Sequence, residues 1–357
     1  VGAVYRAAVW TGKNRVEVQE KPLKKPGPGE VLLKIKAAGI CGTDMHILSG
    51  AHPHAKPPLV PGHEFAGEIV ETGSGVDKKL LGVRAGSDSY IGCGKCVYCL
   101  SGKVQLCDKG TREVGIDLDG GWAEYIVVPE KNIYRLPDDV EYFQAGAGCI
   151  LNCPMAAVEM VGIKPGDTVL IIGDGPSSLV MLQLAGLKGA AGVIVAGHRE
   201  KRLGIARQLG ADFLINTHNR QLAEEVELFV MNAAARGNMD SCNTGPDVVI
   251  DAVGKSETFN AAVSIAAKEG RVHLFGLPEG SLSDISMEAF LFKELKLTGS
   301  TGKPTFWATA MDYLSKGYLN VDPIISHRFS IDRAQEAIDF IRENPQDIVK
   351  AIFEYNS

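Results

Sequence analysis

The sequence predicts an α/β protein of two domains, a doubly wound parallel sheet inserted in a mainly-β domain. Three observations predict it. Apolar strand runs alternate with helical stretches from Asp167 to about Gly276, as parallel βαβ units require. Short strand-like runs broken by Gly, Pro and charged clusters fill roughly the first 150 residues. Finally, the strand-like tail Val349–Glu354 has no place in the middle sheet, so it is expected to fold back onto the first domain.

In chain order, Val4–Trp10, Arg15–Gln19 and Val31–Ala37 read as strands, with Glu68–Thr72 and Trp122–Pro129 following. The middle strands are Thr168–Ile172, Val193–Ala196, Phe213–Ile215, Val248–Asp251 and Val272–Phe275. Helix-like Trp307–Ser315 and Ile331–Arg342 precede the last strand. The expected division is 1–153, 154–294 and 295–357, the outer pieces forming one domain.

Composition narrows the function classes. The chain has 357 residues, 45% of them hydrophobic, and a net charge of -6. Disorder is excluded by that apolar fraction. No Lys/Arg block offers the attraction to phosphate that nucleic-acid binders need. No run approaches ~18 apolar residues, so a membrane span is not expected. The N-terminus carries Arg6, Lys13 and Arg15 in an alternating pattern and reads as a strand rather than a signal peptide. The expected setting is the cytoplasm, where eight cysteines point to metal or catalysis before disulfides. The 41 glycines also exceed the usual ~7%.

Cys93, Cys96, Cys99 and Cys107 form C-x2-C-x2-C-x7-C. Four thiolates at this spacing close a tetrahedron around one Zn²⁺ and leave no open position, which is a structural role. An iron–sulfur cluster also suits four thiolates. Gly92, Gly94 and Gly102 permit the tight loop. A second constellation joins Cys41-Gly42-Thr43-Asp44-x-His46 to Gly62-His63-Glu64. One thiolate and one imidazole suit zinc with positions left over. Asp44 is placed to orient the imidazole, and Thr43 and His46 to move a proton.

Gly62-His63-Glu64-x-x-Gly67-x5-Gly73-x2-Val76 resembles the zinc signature of the medium-chain dehydrogenase/reductase superfamily, in its zinc-dependent alcohol and polyol branch. The Cys41 segment and the four-cysteine lobe match in order and spacing, and the likeness runs essentially the whole chain. It implies a Rossmann domain inserted in a GroES-like catalytic domain, with two zinc ions per chain. The resemblance further implies a catalytic zinc on Cys41, His63 and a third ligand before the glycine-rich turn. Counting back from Lys164-Pro165-Gly166 places that ligand at Cys149, with Cys153 the competing candidate. Glu64 is implied as a conditional ligand. Thr43 is implied to take the alcohol proton and pass it through the nicotinamide ribose to His46. The implied substrate is an alcohol or polyol, or its ketone or aldehyde, and a homodimer or homotetramer is expected. The rival readings are a non-catalytic relative and a zinc-ribbon nucleic-acid binder; the net charge weighs against the latter.

Gly173-Asp174-Gly175-Pro176-Ser177-Ser178 follows an apolar strand and opens a helix. That context makes it a pyrophosphate cradle, with Ser178 standing where a third glycine is usual. The next strand ends in Gly197-His198-Arg199. An NAD-preferring domain places a carboxylate near there; Gly197 instead makes room and Arg199 pairs with a 2′-phosphate, His198 adding a contact. The expected coenzyme is NADP(H), with NAD(H) the alternative and Arg199 as a solvated helix-start residue the bland one. His52, His54 and Trp122 are weaker candidates for the substrate cleft, and Cys242 is expected to be an ordinary thiol.

Overall fold

The computed structural model describes residues 3–235, 245–278, 281, 283 and 285–355. The chain divides into two compact units. One comprises Val1–Asn152, Lys303–Gly317 and Val321–Ser357; the other comprises Cys153–Gly302 and Tyr318–Asn320.

The first unit is built on a seven-stranded sheet. Its order runs Ile325–Ser330, Lys350–Glu354, Glu30–Ile40, Phe65–Thr72, Arg84–Ser87, Ile133–Arg135, with Tyr125–Pro129 pairing Glu30–Ile40 as well. Glu30–Ile40 is the hub because nearly every inward position is apolar: Val31, Leu33, Ile35, Ala37 and Ala38 are all essentially inaccessible. The tail returns as expected, Lys350–Glu354 lying antiparallel to Glu30–Ile40 with Ala351 opposite Ile40. Trp122 is fully buried, donates its indole N–H to the Gly39 carbonyl at 3.0 Å and packs edge-on against Phe353. It is a core residue, and the strand that was expected to begin with it begins at Tyr125.

The second unit holds a six-stranded sheet in the order Phe213–Asn216, Gly192–Gly197, Thr168–Ile172, Val248–Asp251, Arg271–Leu274, Lys296–Gly299, all neighbours parallel. Thr168–Ile172 is buried at every position, which is why Val169–Ile172 reads as an unbroken apolar run. The strand order reverses between Thr168–Ile172 and Val248–Asp251. Such a switch point opens the crevice where doubly wound sheets take their ligands. The sixth strand, Lys296–Gly299, corrects the expected boundary after residue 294 and carries this unit to Gly302. Its four residues lie on the sheet edge, mostly exposed, so the apolar run that marks a central strand is missing. Ile325–Ser330 escaped notice for the same reason: it is an edge strand of mixed polarity. Among the described residues, no helix is long and apolar enough to cross a membrane.

One buried carboxyl in the first unit carries a pH signature. Asp88 is 3% exposed, and burial pushes its pKa from 3.8 to about 7, against the hydrogen bond it accepts from the Tyr90 N–H. The native state therefore holds this proton more tightly than the unfolded chain, and stability from this group falls as pH rises through that interval. Asp88→Asn should raise the melting temperature at about pH 8 and leave it nearly unchanged at about pH 4. An equal effect at both pH values in a thermal melt would contradict the raised carboxyl.

Candidate metal centres and coenzyme cradle

Cys41 directly follows the hub strand and caps the helix Gly42–Ser49. Asp44, in that helix's first turn and fully buried, accepts the Cys41 N–H at Oδ2 (2.8 Å) and the Gly62 N–H at Oδ1 (3.3 Å). One carboxylate thus ties together the two segments that bear Cys41 and His63. Nδ1 of His63 lies 3.3 Å from Asp44 Oδ1, a charge contact off the line of a good hydrogen bond. That orientation leaves Nε2 for a metal.

Glu64 is the second staple. Its Oε2 accepts the Cys149 N–H at 3.1 Å, and its Oε1 meets the Lys350 ammonium at 2.5 Å. Ligand atoms of Cys41, His63, Glu64 and Cys149 all lie within 4.8 Å of one another. Cys149 opens the helix Cys149–Val161 and joins this group, whereas Cys153, one turn further, does not. Thr43 is half-buried, its hydroxyl 3.9 Å from Cys41 Sγ, and His46 is exposed on the same helix.

Charge accounts for the set. A hydrogen bond from Cys149 holds the Cys41 thiol well below its ordinary range against burial, with Lys350 and His63 helping. Burial works against the charge on Lys350, but Glu64, Cys41 and Cys149 outweigh it and hold the ammonium above its usual range. Burial pushes the Glu64 carboxyl up, Lys350 pulls it down, and the net is raised. Two thiolates balance a divalent cation, and Lys350 balances Glu64, so the donor set is neutral with an ion bound. Soft sulfur, imidazole and a reserve carboxylate fit zinc. Lys350 was missed in the sequence; the one signal was a lysine heading the otherwise apolar Lys350-Ala351-Ile352-Phe353.

Cys93, Cys96, Cys99 and Cys107 also bring their sulfurs within 4.8 Å of one another. Backbone N–H groups point at them, from Lys95 to Cys93 (3.5 Å), from Cys99 to Cys96 (3.4 Å) and from Cys93 to Cys107 (3.3 Å). The Lys95 and Cys96 N–H groups lower the Cys93 thiol to about 6, which favours the thiolate a metal needs. Gly92 has no alternative here, since a Cβ would lie 2.7 Å from Cys99 Sγ. Among the described residues these are the two groups able to hold an ion.

In the second unit, Gly173 takes a positive φ of 122°, and Gly175 caps the helix Pro176–Leu187, with Pro176 in its first turn. Ser177 follows at that helix start, and Ser178 is buried, so a small residue serves the close packing. Helix-start N–H groups of this kind are able to receive an anion. Gly197 ends its strand, but the space it leaves is not empty: a Cβ there would lie 2.5 Å from Asp174 Cβ. The Asp174 carboxylate accepts from the N–H groups of His198 and Arg199 and pairs with the Arg199 and Arg202 guanidiniums. His218, which no motif marks, packs edge-on to His198 at 5.2 Å. Asp174, Arg202 and His218 were not singled out in the sequence. His52 and His54 contact each other, and Cys242 falls outside the described residues.

Comparison with known proteins places the chain among dehydrogenases. Family models match residues 27–138 (Alcohol dehydrogenase GroES-like domain) and 178–316 (Zinc-binding dehydrogenase). L-threonine 3-dehydrogenase of Pyrococcus furiosus is 36% identical over 338 residues, covering 91% of this chain and 92% of its own. A solved protein of Sinorhizobium meliloti 1021 described as a zinc-binding dehydrogenase, bound to NADP, has a TM-score of 0.88 at 34% identity over 99% of each chain. An alcohol dehydrogenase of E. coli CFT073 complexed with NADH has a TM-score of 0.88 at 30% identity, over 99% of this chain and 100% of its own.

The Glu64–Lys350 pair gives a stability test. Lys350→Met strands a buried carboxylate and should cost about 3–5 kcal/mol in urea denaturation at matched zinc, with most of it recovered in Lys350→Met/Glu64→Gln. A loss under about 1 kcal/mol would show that the pair is not a buried lock. From the zinc-competent donor set, the matched domains and the relatives together, the chain belongs to the zinc-dependent medium-chain dehydrogenase/reductase superfamily, in its alcohol and polyol dehydrogenase branch.

Proposed function

We propose that the chain carries one catalytic and one structural zinc and transfers hydride between a secondary alcohol or polyol, or the corresponding ketone or aldehyde, and NADP(H). The observation that carries this reading is the convergence of Cys41, His63, Glu64 and Cys149 within 4.8 Å. Bound zinc supplies the Lewis acidity that makes an alcohol acidic near neutral pH, and bound nicotinamide supplies the hydride acceptor.

The chain's own residues do the rest. Cys41, His63 and Cys149 hold the catalytic ion, leaving a position for substrate. Asp44 fixes the His63 ring. Lys350 keeps Glu64 neutralised beside the ion, available as a conditional ligand. Thr43 accepts the alcohol proton, and exposed His46 passes it to solvent. Cys93, Cys96, Cys99 and Cys107 hold the structural ion with no open position. Gly173, Gly175, Pro176, Ser177 and Ser178 cradle the pyrophosphate, and Gly197, His198 and Arg199 face the adenosine end.

One observation favours an NAD-linked alternative: a carboxylate, that of Asp174, stands in the space beside Gly197. Against it, both oxygens of that carboxylate are already engaged by N–H donors and arginines.

The protein is further proposed to act in the cytoplasm as a homo-oligomer. Lys296–Gly299 leaves one edge of its sheet open, and the helix leading into it exposes Met287, Leu291 and Phe292. A second copy of the chain suits such an edge, and sedimentation of the holoenzyme reads this out.

Cys41→Ser and His63→Ala should each abolish turnover of an alcohol and ketone panel while leaving NADP(H) binding nearly intact. Wild type should show a higher kcat/KM with NADPH than with NADH. Full activity in metal-free protein would overturn the zinc reading, and a preference for NADH would establish the NAD-linked alternative.

A further inference from the structure

The glycine-rich turn contains one charged residue, and its contacts run away from the pyrophosphate cradle. Asp174 is 3% exposed. Its Oδ2 accepts the His198 N–H at 2.8 Å and the Arg199 N–H at 2.9 Å. Its Oδ1 accepts from the Arg199 guanidinium at 2.9 Å and the Arg202 guanidinium at 3.4 Å. Four donors on two oxygens use up the acceptor capacity of a carboxylate, so Asp174 has no lone pair to offer a ribose hydroxyl.

What the carboxylate does instead is hold two cations together. Arg199 and Arg202 share one oxygen, and without the charge between them like charges at that separation would drive the side chains apart. The trio keeps a net charge of +1, one cation beyond neutrality, beside the strand end where the adenosine ribose is expected. Arg199 is 23% exposed in its side chain, yet its Nε is buried and meets no acceptor among the described residues. The partly exposed side chain, not that enclosed Nε, is what a ligand can reach. The missing side chain of Gly197 is what admits Asp174 at all.

We propose that Asp174 is a positioning residue that gathers Arg199 and Arg202 into a two-guanidinium receptor for the 2′-phosphate of NADP(H), with Arg202 as a second phosphate-binding residue. The inference rests on the NADP(H) reading above. The role of Gly197 changes with it: the glycine makes room for the carboxylate that arranges the arginines, not for the phosphate itself. Guanidinium pairs suit a phosphate dianion because each offers charge-assisted, fork-shaped donation.

The test is calorimetric titration of the zinc-loaded enzyme with NADP+ and NAD+, for wild type, Asp174→Asn, Arg202→Gln and Arg199→Gln. Asp174→Asn keeps size and an acceptor while removing the charge. Both Asp174→Asn and Arg202→Gln should weaken NADP+ by about tenfold and leave NAD+ within about twofold. NADP+ binding as tight as wild type, or tighter, in Asp174→Asn would overturn the positioning role and make the carboxylate a competitor of the phosphate. Equal losses for both coenzymes would overturn it in favour of a purely structural role. Unchanged NADP+ binding in Arg202→Gln, which tests the idea even if Asp174→Asn fails to fold, would remove the second phosphate ligand. Should wild type prefer NAD+ and Arg199→Gln leave NADP+ unmoved, the NADP(H) reading itself fails. Should Arg199→Gln alone lose NADP+, that reading stands and only this inference falls.

Discussion

The metal-ligand arrangement depends on one buried ion pair. Glu64 and Lys350 are separated by 286 positions in the chain and meet at 2.5 Å with almost no exposure. Burying either charge alone would be prohibitive, so the pair forms only when the last strand has docked on the hub strand. The other oxygen of Glu64 then receives the Cys149 N–H. The tail of the chain is thereby coupled to the position of a metal ligand. Asp44 performs the matching task for Cys41 and His63. Two buried carboxylates, Asp44 through two backbone N–H groups and Glu64 through one N–H and the Lys350 ammonium, assemble donors from three segments of sequence.

The same device recurs in the other unit. Asp174 is buried, ionised and saturated, and its partners are the backbone and side chains of the next strand end. Hydrogen bonds from the Arg199 and His198 N–H groups and the two nearby arginines offset the cost of burial and hold the carboxyl below its usual range. In both places a buried carboxylate is tolerable because its acceptors are filled, and rigidity follows from that saturation.

How much of this was legible depended on sequence separation. The four-cysteine lobe is local, and its spacing alone defines the donor set. The parallel sheet was legible because central strands such as Thr168–Ile172 are buried at every position and apolar from Val169 onward. Cys149 over Cys153 could be favoured only through the family resemblance, because one turn of one helix separates them and periodicity treats both as core. Lys350, Asp174, Arg202 and His218 were not legible. Each acquires its role through a partner far along the chain or on another element, and a single lysine or aspartate carries no pattern. Edge strands such as Lys296–Gly299 failed for a different reason, since a mostly exposed strand lacks an apolar period.

The claim that matters most is that Cys149, tied to Glu64 and Lys350, completes the catalytic zinc set. Zinc content per chain, measured by atomic emission on Cys149→Ser and Cys153→Ser, tests it directly. The account predicts two zinc ions in Cys153→Ser, as in wild type, and one in Cys149→Ser. Two zinc ions retained in Cys149→Ser, with one lost in Cys153→Ser, would contradict it.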